Sequence, residues 1–284
     1  MSRIGQISRI AADEDHAALY AACDPGVALC TIVGIDGSFS RRVGAQMAVR
    51  PDGGTIGSLA DGCLEQQLAS DVRTLQSPEI RRYGKGSDQI DFRLPCGGGL
   101  DILLDPSPDR KECRSVVAQL ERRTPAALAL PAPDFLLVRN YIPRLTLRAF
   151  GEGAELAVLA ELAAAMQIQV EALGKDDLTL GKPSGNHAAD RCTAVVLLFH
   201  DHEWELALIE EALAGEAFYI GAQGGEGARI RRSLDLISRG VAEEQLARLR
   251  SPIGIFHGCK TPSSLALSVL SEIVGDYEKL HDRR

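Results

Sequence analysis

Several things are scarce in this chain, and each scarcity excludes something. Aromatic residues make up 5% of its 284 residues, with a single tryptophan. Packing therefore falls mostly to Ala, Leu, Ile and Val. The seven cysteines are odd in number and include no Cys-x-x-Cys pair. That argues against both a zinc framework and a disulfide framework; in a reducing compartment these residues are thiols. No apolar run approaches the ~20 residues of a membrane span. The longest clean run, AVVLLF from Ala194 to Phe199, is strand-sized. The opening stretch MSRIGQISRIAADEDHAALYAA has early acids and no apolar core of signal-peptide length, so the expected location is the cytoplasm. Positive charge is in deficit, with 31 Lys and Arg against 39 Asp and Glu and a net charge of -8. A general nucleic-acid or acidic-membrane binder needs a basic face and is disfavoured. A local basic pocket for an anionic small molecule stays open. Internal repeats and low-complexity tracts are absent.

What remains is ordinary soluble composition, 45% hydrophobic and 25% charged, over a length that suggests two domains at roughly 100–200 residues each. The first half reads as α+β. A helix runs from about Glu14 to Ala22 and the strand VALCTIVGID follows. QMAVRPDGGTIGSL reads as two strands around a Pro-Asp-Gly-Gly turn. A helix from Gly62 to about Leu75 is capped by Asp61, whose carboxylate can accept first-turn N–H groups. EIRRYG, DQIDFRL and LDILLD are strands, Arg110 to Arg123 a polar helix, and two short strands lie near Ala127 and Phe135. The character changes near Pro143, which sets the expected domains at 1–143 and 144–284.

In the second half, LTLRAF, IQVEAL, TAVVLLF and AFYIGAQ alternate with helices from Glu155 to Met166, over EWELALIEEALAG, and from Glu226 to Arg250. TAVVLLF is apolar throughout, as a parallel strand buried on both faces requires. The final helix opens on Thr261 as cap and Pro262 at its first position. Such alternation predicts a doubly wound parallel sheet.

Two cysteines stand in unusual settings. Cys63 falls in the first turn of its helix, where free N–H groups and the helix dipole stabilise a thiolate; Glu65 partly opposes this. Cys96 precedes Gly97, Gly98 and Gly99, whose N–H groups can converge on one point and suit a thiolate or a phosphate equally. The plainer reading of PCGGG is a tight turn with a buried thiol. Cys23, Cys30, Cys113 and Cys192 lie in apolar or periodic contexts and read as small core residues. Arg41 and Arg42 in SFSRRVGAQM form either an anion clamp, since guanidinium forks hold phosphate oxygens bidentately, or a solvated loop. Arg81, Arg82 and Arg93 read as strand-surface charges.

GSFSRRVGAQMAVRPDGGTIGSLADGCLEQ, LPCGGGLDILLDP, FHDHEWELALIEEAL, AFYIGAQG and SPIGIFHGCKTPSSLALSVLSEIV, in this order, resemble the XdhC/CoxI family of accessory proteins for molybdenum hydroxylases such as xanthine dehydrogenase. The resemblance implies an N-terminal domain carrying the cysteine motifs and a C-terminal Rossmann-like domain. It implies a cofactor-maturation chaperone rather than a turnover enzyme. Such a protein binds molybdenum cofactor, as molybdopterin or a dinucleotide form, supports its sulfuration with a cysteine desulfurase, and delivers it to an apo-enzyme. Family habit also implies a homodimer. Thiolates are soft ligands, so the resemblance assigns molybdenum or sulfur contact to Cys63 and Cys96. Arg41, Gly44, Ala45 and Gln46, with Gly62, Gly97 and Gly98, would line the pocket. The chain departs from the family at Ser40, where proline is usual, at Asp61-Gly62-Cys63, in AQGGEGAR, and in GCKTP.

In the Rossmann-like half, Gly151 and Gly153 are spaced for a pyrophosphate at a helix N-terminus. Leu156 takes the place of the third small residue. Glu152 and Glu155 put negative charge there, and a like-charge pair near 4 Å repels by roughly 4 kcal/mol at an effective dielectric of about 20. NAD(P) binding is therefore disfavoured, and a packing or docking domain is the plainer reading. His200 and His202 follow the third strand at its carboxyl end, where open sheets bind ligands. No third metal ligand stands at metal-site spacing, and Asp201 also fits a helix cap. His257 and Lys260 precede the last helix, whose N-terminus suits an anion. Two rival functions remain in view: a nicotinamide-dependent oxidoreductase built on the second domain, and a docking scaffold without cofactor.

Overall fold

The structure, a computed structural model, describes residues 14–59, 62–87, 97–185, 188–256 and 258–282. The strand expected over DQIDFRL, the Asp61 cap, Cys96 and His257 lie outside the described residues. Backbone contacts divide the chain into two compact units, Met1–Pro143 and Arg144–Arg284.

The first unit is built on a five-stranded antiparallel sheet. Its members are β1 (Ala28–Asp36), β2 (Gln46–Val49), β3 (Thr55–Gly57), β4 (Glu79–Gly84) and β5 (Gly99–Asp105), in the order β3-β2-β1-β5-β4. The β2–β3 hairpin turns through Gly53, at φ 86°, with Gly53 N–H donating to the Arg50 carbonyl at 2.9 Å. One sheet face carries Cys30, Ile32, Met47, Ile102 and Leu104 and is covered by helix α2 (Gly62–Val72) through Leu64 and Leu68. The other face carries Leu29 and Ala48. It is covered by α1 (Glu14–Ala22), by α3 (Arg110–Glu121), and by the small hairpin β6 (Ala126–Ala129) and β7 (Val138–Tyr141). Alternation along β1 thus serves two cores at once, which is why the strand reads as nearly continuous apolar sequence. The strand expected near Phe135 lies later, at Val138–Tyr141. Phe135 itself is 46% exposed in the turn before it.

In the second unit all five strands are parallel: β8 (Thr146–Gly151), β9 (Gln169–Leu173), β10 (Thr193–Leu198), β11 (Tyr219–Ala222) and β12 (Leu249–Arg250). Their order is β12-β11-β10-β8-β9. Read from the other edge this is 2-1-3-4-5, the doubly wound order, whose switch point lies between the carboxyl ends of β8 and β10. Both of those strands are buried along their whole length. Helices α4 (Gly153–Ala165), α5 (Leu206–Ala214), α6 (Glu226–Ser238), α7 (Glu243–Leu246) and α8 (Pro262–Asp282) complete the unit. The expected helical stretch to Arg250 breaks at Gly240, at φ 93°, and Leu249–Arg250 is an edge strand. The Thr261 hydroxyl accepts from Ser264 N–H at 3.1 Å, so the expected cap of the last helix is in place.

Candidate functional site

At one end of the first sheet, Asp36 closes β1 and pairs with Gly99, the first residue of β5, which also pairs with Gly84 at the end of β4. Three chain ends therefore meet there. Gly98 lies directly against Gly37: a Cβ on Gly37 would stand 3.6 Å from the Gly98 Cα. The Arg82 guanidinium locks the corner. It donates to Asp101 at 2.9 Å, to Asp36 at 3.1 Å and to the Lys85 carbonyl at 2.8 Å. A Cβ on Gly99 would fall 2.6 Å from the Lys85 backbone carbonyl oxygen, which cannot give way as a side-chain end can, so glycine is required by that close approach. Arg82 is a strand-surface charge, as the sequence reads, and it also joins β1, β4 and β5 beside the Gly97–Gly98 turn.

Arg41 ties the loop after β1 to the lead-in of α2. Its Nε donates to the Ser58 carbonyl and its Nη2 to the Ser58 hydroxyl, both at 3.3 Å. Leu59 N–H donates to Glu65 Oε1 at 3.1 Å, so that carboxylate partly satisfies the lead-in backbone. Cys63 is the second residue of α2 and its thiol is exposed. Gly62 has open space around its Cα, as does Gly97, which takes φ 68°. Cys30 and Cys113 are buried, and burial pushes both thiols up, Cys113 to about 12.

Gly44, Ala45 and Gln46 sit deeper than a pocket-lining role suggests. Gly44, at φ 92°, has the Arg139 side chain packed where a Cβ would be. Ala45 and Gln46 are buried. The Gln46 amide donates to the Thr31 hydroxyl at 3.0 Å, and its carbonyl accepts from the Tyr141 hydroxyl. These contacts fasten the root of the arginine loop to β1 and β7.

The second unit gathers its candidates at the carboxyl edge of the parallel sheet. Gly151 is a glycine for packing: a Cβ there would lie 2.8 Å from Leu198 Cβ on the neighbouring strand. Gly153 takes φ 71° at the start of α4. Of the acids that argued against a phosphate, Glu152 is compensated by a bridge to Lys175 at 2.9 Å, and Glu155 stands 3.9 Å from the His200 ring. Lys260 is exposed in the segment before α8. His202 lies in a short 3-10 turn after β10, and its Nδ1 is 3.0 Å from Glu205 Oε2. That same oxygen accepts from Arg232 Nε at 2.8 Å. Glu205 and Arg232 are 0% and 1% exposed, and neither drew attention in the sequence. The signal was there. Arg232 stands on the buried stripe of α6 with Ala228 and Leu236, and Glu205 precedes Leu208, Ile209 and Ala212 at helical spacing. A charge on an apolar stripe marks a buried partner.

Comparison with known proteins adds independent findings. The chain matches the sequence model described as the XdhC and CoxI family over residues 24–84, a span that includes Arg41 and Cys63. It matches the model described as the XdhC Rossmann domain over residues 147–273. It is 33% identical over 270 residues to the molybdenum cofactor insertion chaperone PaoD of Escherichia coli (strain K12), covering 87% of this chain and 82% of that protein. It is 27% identical over 259 residues to the uncharacterized protein YqeB of the same organism, covering 87% of this chain and 43% of that protein. A crystal structure titled as a xanthine dehydrogenase from Bacillus halodurans superposes with a TM-score of 0.69 over 94% of this chain and 95% of that one; at 18% identity the likeness is one of fold. Among the described residues no helix is long and apolar enough to cross a membrane.

Proposed function

The chain belongs to the XdhC and CoxI family, and from that membership we propose that it is a chaperone that binds molybdenum cofactor as cargo and hands it to a molybdenum hydroxylase. One observation carries this reading: 33% identity, over 87% of the chain, to a protein named a molybdenum cofactor insertion chaperone. The first domain supplies chemistry that suits such cargo. Molybdenum takes soft ligands, and Cys63 presents an exposed thiol at a helix start. In this proposal Cys63 and Cys96 contact the metal or its sulfur. Arg41 and the backbone N–H groups around Gly62, Gly97 and Gly98 hold the anionic phosphate end. Gly44, Ala45 and Gln46 act as the fastening of the Arg41 loop. On the second domain by itself, Gly151, Gly153, His200, His202 and Lys260 are proposed as a cofactor-contacting set at the carboxyl edge of its sheet.

We further propose that sulfuration of the cargo draws on a cysteine desulfurase and that the recipient is of the xanthine dehydrogenase type. The protein then acts in the cytoplasm as a homodimer. The test is a transfer assay, in which cofactor-free hydroxylase is mixed with cofactor with and without this chain. Faster and more complete activation in its presence supports the proposal, and equal activation overturns it. Sedimentation at a single mass of two chains is the expected result for the oligomer.

A further inference from the structure

The buried pair Glu205–Arg232 has features that packing alone does not explain. Both side chains are essentially without solvent contact, although charged residues are seldom buried unless something fixes them there. The Arg232 fork spreads over several elements. Nε donates to Glu205 Oε2 at 2.8 Å, Nη1 to the Ser251 hydroxyl at 3.0 Å, and Nη2 to the Gln223 carbonyl at 2.6 Å. It thereby ties α6 to the loops that leave β11 and β12 at the carboxyl edge of the sheet. Burial pushes the Glu205 carboxyl up, while Arg232 and His202 pull it back.

His202 completes the cluster and reaches solvent, its side chain 29% exposed. Glu205 Oε2 stands 3.0 Å from its Nδ1. Arg232 Nη2 approaches the same nitrogen at 3.5 Å, a longer and weaker contact. A carboxylate on Nδ1 fixes the proton there and leaves Nε2 as the acceptor. Gly224, at φ 133°, passes so that a Cβ on it would lie 3.8 Å from His202 Cε1. One further acceptor of the cluster, Glu205 Oε1, is buried without a hydrogen-bond partner among the described residues, as is the Gln223 side-chain oxygen. Native proteins rarely leave buried acceptors in that state.

We propose that this cluster is a recognition site for an uncharged, donor-rich group, either hydroxyls or ring N–H groups. In it His202 Nε2 accepts the hydrogen bond, and Glu205 and Arg232 are positioning residues. A bare anion is the wrong chemistry, since the Asp201, Glu203 and Glu205 carboxylates all belong to the same turn. The proposal rests on the cofactor contact proposed above for His202 and narrows it to one chemistry; the probes below test this second-domain site whatever the first domain binds.

The test uses the full chain labelled with 15N, with the His202 ring resonances identified by their loss in His202→Gln. In the neutral ring of the wild type, Nδ1 should carry the proton. An Nε2-protonated ring overturns the proposal without any further variant. Two probes then separate the sources of the donor. Pterin offers ring N–H groups and methyl riboside offers hydroxyls alone. A saturable shift of the His202 Cε1–H signal with either probe supports the site and names its source; no shift with either one overturns it. Where Glu205→Gln folds, it should raise the half-saturating probe concentration at least tenfold while leaving His200 signals unchanged. Unaltered saturation in that variant overturns the positioning role.

Discussion

Cys63 and Cys113 show how far a thiol's neighbourhood sets its chemistry. Cys63 is exposed at a helix start, whereas Cys113 is sealed among Val116 and Leu120 with its thiol pushed up to about 12. Iodoacetamide at pH 8 should therefore modify Cys63 within minutes and leave Cys30 and Cys113 intact until the protein unfolds, as peptide mass spectrometry would record. Modification of Cys113 in the native protein would contradict the packing described. The two arginines flanking the site should part company in the same way. Arg41→Ala removes hydrogen bonds to Ser58 in a loop outside the sheet, and should weaken cargo binding with a smaller change in Tm than Arg82→Ala. Arg82→Ala removes a half-buried fork that joins three strands, and should cost about 1–3 kcal/mol in urea unfolding. Asp105 carries a pH signature. Burial raises its carboxyl above the ordinary 3.8, so in the window just above that value the native state holds a proton the unfolded chain has lost. The Asp105 contribution to stability should thus rise as pH falls through that window, and wild type should gain stability there relative to Asp105→Asn, as paired urea titrations would read.

At the scale of elements, the instructive helices are α5 and α6. Their apolar stripes were legible as periodicity, and the helices formed where that periodicity ran. The stripe positions occupied by charge, Arg232 and the residue before α5, Glu205, were not legible as a pair. They are 27 residues apart and meet only because β10 and β11 are neighbours in the sheet. Periodicity gives a face; it does not give the residue across from it. Arg232→Leu should destabilise the second domain by about 3–5 kcal/mol, because it strands the Glu205 carboxylate in the core. Arg232→Leu with Glu205→Leu should recover much of that loss, and a double variant no more stable than the single one would contradict the account. The same limit explains the Arg82–Asp36 contact, since Asp36 closes β1, a strand far from β4 in sequence, whereas Asp101 lies opposite Arg82 on the consecutive strand β5. Local chemistry fared better. The Thr261 cap and the hairpin around Gly53 depend on residues within a few positions of one another, and both stand as the sequence reads.

For the molecule as a whole, an antiparallel sheet in one unit and a parallel doubly wound sheet in the other follow from strand patterning. Strands that serve one core per face alternate or fill according to what covers them, and β10, covered on both sides, reads as unbroken apolar sequence. The joining of Gly98 to Gly37 and of Arg41 to Ser58 was beyond that patterning, because these are loop contacts set by sheet order. They bring the arginine loop, the glycine turn and the Cys63 helix start into relation at the end of one sheet. The claim that this corner holds molybdenum cofactor is tested most directly by molybdenum and oxidised-pterin content of the full-length protein purified from a host that makes the cofactor, measured beside Cys63→Ala. The account predicts stoichiometric pterin with wild type and a loss of at least tenfold in the variant at unchanged Tm. Wild-type protein free of pterin, or a Cys63→Ala protein that retains it in full, would contradict it.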